Sequence, residues 1–142
     1  MIIRLNFFIF FAIFFSSISF ATGQINNTLD VILNSEEETL LVSQTIEYTN
    51  TSNETLSTLF LYDWGNSYQG EPAPLAKHLA NQFNRSFYLK SNSKLGYTKI
   101  NFLKGASISS WSRLEDQLDV IVVNLHEKLP IGEQIKIQLE YL

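Results

Sequence analysis

From Gln134 to Tyr141 the chain alternates strictly, with Ile135, Ile137, Leu139 and Tyr141 on one side and Gln134, Lys136, Gln138 and Glu140 on the other. A period of two belongs to a β-strand with one face buried and one in water. Just before it, Leu118 to Leu125 is apolar on both sides, the pattern of a more central strand. Pro130 and Gly132 separate the two runs. Proline presets a turn position and glycine supplies a positive φ, so the runs are expected to form a β-hairpin. The sequence closes inside this apolar strand. That leads to the expectation that the polypeptide continues past Leu142, and that the last strand leaves an apolar edge unpaired and limits solubility.

The same alternation recurs upstream. Leu29 to Leu33 alternates weakly and is followed by a polar turn, Asn34 to Glu38, whose acidic triplet suits a solvated hairpin tip better than a cation site. In Thr39 to Thr49, Leu40, Val42, Ile46 and Tyr48 share a face with Gln44. Asn50 to Asn53 is a turn by composition, and Leu56 to Asp63 returns with apolar residues on both faces. These three segments are expected to form an antiparallel meander.

Trp64 to Gly70 (WGNSYQG) loses the period of two, and Pro72 and Pro74 mark a helix start. Leu75, Leu79, Phe83 and Phe87 are spaced by four, which predicts an amphipathic helix of three to four turns lying against a sheet or its edge. After a polar connector from Lys90 to Lys94, Tyr97 to Leu103 and Ser107 to Leu114 read as two more strands, the second marked by Ile108 and Trp111. The sum is a mainly β domain of about seven antiparallel strands with one short inserted helix, a sandwich or curved saddle.

Composition adds a compartment. Arg4 precedes an apolar run of about 14 residues, Phe7 to Phe20, shorter than the roughly 20 that span a bilayer. Small residues follow, so residues 1–23 are expected to be a signal peptide cleaved after Ala21 or Gly23, with residues 24–142 the exported domain; the alternative is an uncleaved N-terminal anchor. No further membrane span is predicted. The chain has no cysteine, which excludes a disulfide framework, a thiolate nucleophile and a lipoprotein anchor. Losing Arg4 leaves nine basic against 14 acidic residues, scattered singly, so no nucleic-acid surface is expected. The location expected is the periplasm or exterior. Four N-x-S/T sequons, at Asn26, Asn50, Asn53 and Asn84, are read as chance in an asparagine-rich chain.

Catalytic chemistry is hard to find. A zinc peptidase helix carries H-E-x-x-H, but His78 is followed by Leu79-Ala80-Asn81-Gln82, and His126-Glu127 by Lys128-Leu129-Pro130. Both histidines are therefore expected at the surface. Asp63, Glu71, Asp116 and Asp119 offer carboxylates for a glycosidase pair, yet no spacing singles two of them out. Trp64, Tyr68 and Trp111 would form an aromatic platform for a sugar or peptide, or else pack in the core or at an edge. No catalytic, cofactor or metal residue is assigned.

One resemblance narrows this. The strand L-D-V-I-V-V-N-L (118–125), the turn L-P-I-G (129–132) and the strand closing on L-E-Y (139–141) resemble the N-terminal domain of aminopeptidase N-like zinc metallopeptidases, the gluzincins. Leu61-Tyr62-Asp63-Trp64 with Asn66 and Tyr68, then Pro74-Leu75-Ala76-Lys77 and Phe83, is similar to the Bacteroidetes-type members, which carry a helical insertion at this point. Ile46, Tyr48 and Asn50 look like the family's E-Y-x-N segment. The resemblance implies a non-catalytic saddle-shaped domain that packs against the catalytic domain of the same parent chain. It also implies that zinc is held only there, not by these residues. The alternatives are a stand-alone secreted binding or adhesion module, with peptides among its possible partners, and a pseudoenzyme scaffold that has lost its metal.

Overall fold

The computed structural model describes residues 25–71, 73–89 and 95–142. The expected signal peptide, Pro72 and the connector at 90–94 lie outside the described residues. The strands are β1 (Ile25–Asn34), β2 (Thr39–Thr49), β3 (Leu56–Tyr62), β4 (Ile100–Lys104), β5 (Ile108–Arg113), β6 (Val120–Leu129) and β7 (Gln134–Tyr141). Between β3 and β4 run a 3-10 helix (Trp64–Tyr68) and two short helices, α1 (Pro74–Asn81) and α2 (Ser86–Leu89). Among the described residues no helix is long and apolar enough to cross a membrane.

The strands form two antiparallel sheets, sheet I in the order β1-β2-β7-β4 and sheet II in the order β3-β6-β5. The expected mainly β fold is therefore found, as two packed sheets. Ile135, Ile137 and Leu139 of β7, with Leu103 of β4, face Leu59 of β3 and Ile121 and Val123 of β6 in one buried cluster. Ile137 and Val123 are fully buried at its centre, each worth about 1.5–3 kcal/mol of apolar transfer. β6 lies between β3 and β5, which explains its lack of a polar face at Val120, Ile121, Val122 and Val123.

Four pairing and packing expectations are corrected. β6 and β7 are not a hairpin, because they lie in different sheets and Pro130 to Glu133 carries the chain from one sheet to the other. The meander also breaks. β1 pairs with β2, but β3 joins sheet II through the connection that starts at Asn50. Thirdly, β7 is no edge, since it pairs with β2 on one side and β4 on the other. Among the described residues the unpaired edges belong to β1, β4, β3 and β5. Strand periodicity reports which face is buried, but it is silent about which neighbour lies alongside.

The helix is the fourth correction. It stops after two turns, in a Schellman ending. Phe83 N–H donates to Ala80 C=O and Asn84 N–H to Leu79 C=O, with Phe83 at φ +60°. Asn84 then caps α2 by accepting from Ser86 N–H. Phe83 is almost wholly exposed, so the four-residue spacing that suggested a longer helix carries no packing there. α1 packs on the 3-10 helix rather than on a sheet, with Ala73 and Ala76 fully buried.

Two crossings meet at one residue. Asn50 is fully buried in the β2–β3 connection and engages the β6–β7 connection three times. Its N–H donates to Glu133 C=O (2.9 Å), its C=O accepts from Gly132 N–H (2.7 Å), and its Nδ2 donates to Leu129 C=O (3.0 Å). Nδ2 also donates to Glu54 C=O, and Oδ1 accepts from Ser52. Every polar atom of the side chain is thus satisfied. At the β4–β5 crossing, a Cβ on Gly105 would stand 2.6 Å from Lys136 C=O, so only glycine lets the backbone approach β7 there.

Candidate functional site

Between the two sheets, at the end where β3 runs into the 3-10 helix, a cleft of about 310 Å³ opens. Ile46, Leu61, Ile121 and Leu139 line its apolar part, and Asp63, Thr98, Gln44 and Tyr141 supply polar groups. Trp64 stands at its edge, exposed.

Strand pairing builds the polar part. Tyr62 of β3 is opposite Val120 of β6 and Arg113 of β5 is opposite Ile121, so Asp63 and Arg113 leave the same end of sheet II on either side of β6. Arg113 Nη2 lies 2.6 Å from Asp63 Oδ2, and both side chains are largely buried. The contact is an ion pair without the alignment of a hydrogen bond, because Asp63 Oδ2 accepts none. Arg113 also donates to Leu118 C=O and Thr98 C=O. Asp63 Oδ1 caps the 3-10 helix by accepting from Asn66 N–H.

Buried Asn66 extends the network, donating to Leu118 C=O (2.7 Å) and accepting from Thr98 N–H (3.2 Å). Ser67 donates to Asp119 at 2.8 Å. Burial, and after it the negative charge of Asp63, push the Tyr141 hydroxyl above the usual tyrosine range. Tyr141 is therefore a neutral hydrogen-bond donor facing the cleft at any physiological pH. On the outer face of sheet I, Lys136 and Asn26 hydrogen-bond Glu47 and hold its carboxyl below the usual range.

Of the aromatic platform, only part comes together. Trp64 and Tyr68 meet edge-to-face at 6.4 Å, and Phe87 follows Tyr68 at 6.2 Å. Trp111 does not join them; it packs against the core from β5. The four carboxylates do not face one another either. Only Asp63 lines the cleft, Asp119 is buried on Ser67, and Glu71 and Asp116 are exposed. His78 and His126 are both exposed, His78 beside Gln82. Among the described residues no cluster of histidine and carboxylate side chains suits a metal ion.

No family model, no curated protein and no solved structure matches this chain.

Sequence reasoning overlooked Arg113 and Thr98, and named Asn66 and Tyr141 without giving either a place in a site. For Arg113 a signal existed. A lone cation and a lone anion each end a strand, and the pairing of both strands to β6 makes them neighbours. The cleft can hold an apolar group and hydrogen-bond it through Tyr141.

Proposed function

We propose that this chain is the non-catalytic β module of an exported zinc aminopeptidase-like protein, which packs against a catalytic domain and walls its substrate cleft. One observation carries the reading furthest. The segments that resemble the family, Glu47 to Asn50 and Leu129 to Gly132, lie far apart in sequence yet are bonded to each other through Asn50. A third, Leu61 to Trp64 with Asn66, holds its own corner through Asp63 and Asn66. Residues fixed for joining connections, not for touching substrate, belong to a scaffold. The exposed Tyr62, Trp64 and Tyr68 at the cleft end have the aromatic character of an interface core, which supports a packing surface there.

The coding sequence after codon 142 tests this. We expect an open frame that reaches H-E-x-x-H with a further glutamate downstream, and a stop codon at position 143 would sink the idea. The second reading, a stand-alone binding module, rests on the Trp64–Tyr68 pair and the cleft beside it. A glycan or peptide screen in which binding disappears with Trp64→Ala would favour it.

A further inference from the structure

Sheet I has one strand more than sheet II, and β1 is the strand left over on the side of β3. Its register with β2 places Ile25, Leu29, Val31 and Leu33 on the inward face, opposite Tyr48, Gln44, Val42 and Leu40. An inward face without a facing strand stays open to solvent: Leu29 is 48% exposed, Val31 54% and Leu33 67%. Below it an apolar recess of about 390 Å³ runs between Ile25 and Tyr48 on one sheet and Leu56 and Leu59 on the other.

Among the described residues both strand edges on this side are unpaired. The ten residues of β1 and the seven of β3 include one charged side chain, Asp30, and neither lysine nor proline. Exposed edges are ordinarily blunted by such residues, so their absence marks edges built to be covered.

We propose that this side is a self-association surface, on which two copies pack about a two-fold axis with β1 of each laid along the β3 edge of the other. β1 of one copy then fills the place of the missing fourth strand in sheet II of its partner, and the two apolar inward faces cover each other. A lone docking strand would cover the face of β1 but leave its edge open. A second copy carries both missing pieces, pairs both edges in both subunits and closes the assembly. The inward residues expose on the order of 500 Å² per copy, so the pair buries roughly 1,000 Å² before backbone pairing is counted, at the threshold of a specific interface. The recess shares Ile46 and Leu61 with the cleft but includes neither Trp64 nor Tyr68, and the inference does not depend on the peptidase reading.

Sedimentation velocity on the purified chain tests the proposal. We expect a dimer with a dissociation constant near 10 μM or tighter, on the order of other interfaces of this size. Leu29→Lys and Val31→Lys should each weaken it by roughly 100-fold while leaving the circular dichroism spectrum intact, because the lysine is buried only in the dimer. A monomer at all concentrations, oligomers that grow without limit, or a dimer indifferent to both variants overturns it. So does a monomer whose β1 and β3 amides resist hydrogen exchange, which would mean that another strand occupies the notch.

Discussion

Gly132 N–H donates to Asn50 C=O across 2.7 Å, tying the connection from β2 to β3 to the connection from β6 to β7. Both connections pass from one sheet to the other, so this contact fixes how the sheets are stacked at that end. Asn50→Ala removes a side chain that donates to Leu129 C=O and Glu54 C=O and accepts from Ser52, so the buried Leu129 carbonyl loses this donor and the Ser52 donors lose their acceptor. We expect a loss of about 2–4 kcal/mol in urea unfolding at unchanged slope. The Asn50-Thr51-Ser52 sequon is also closed to glycosylation in the folded chain, since its amide nitrogen is already engaged.

Arg113→Met strands a buried carboxylate on Asp63 together with two backbone carbonyls. A destabilisation of about 2–4 kcal/mol is expected by chemical unfolding. Arg113→Lys should recover less than half of it, because an ammonium cannot reproduce the fork that reaches three oxygens on different elements.

Phe83 adopts a left-handed conformation that glycine takes without strain, and its side chain packs on nothing. Phe83→Gly should therefore stabilise the chain by about 0.5–1 kcal/mol, seen as a rise in melting temperature. A fall would show that Phe83 is covered in solution.

For Tyr141 the sign of the pH dependence follows from its raised pKa. The fold favours the neutral phenol, so its contribution is complete below the unfolded value of 10.0 and drains away as pH rises through the higher folded value. Stability measured from pH 8 to 12 should fall less steeply in Tyr141→Phe than in the parent sequence, and the late tyrosinate absorbance step should vanish with the phenol.

Strand positions were legible because burial of one face imposes a period of two, as at Ile135, Ile137 and Leu139, all buried. Beyond the antiparallel β1–β2 pair, strand partners were not. The Pro130–Gly132 turn has the chemistry of a hairpin, yet its chain changes sheets because Asn50, distant in sequence, holds it there. Phe83 continued a helical spacing that the Asn84 cap cut short. Of the site, Trp64 and Tyr68 could be singled out as aromatics, while the Asp63–Arg113 pair depended on knowing that both strands border β6.

Bound zinc and aminopeptidase activity, measured together on the 142-residue chain and on any longer product whose reading frame runs past codon 142, test the scaffold role most directly. We expect zinc and hydrolysis only in the longer product, with kcat/KM changed by less than about twofold in His78→Ala and His126→Ala, within the range of surface substitutions. Zinc retained by the short chain, or activity abolished by either histidine variant, would contradict a scaffold role for these residues.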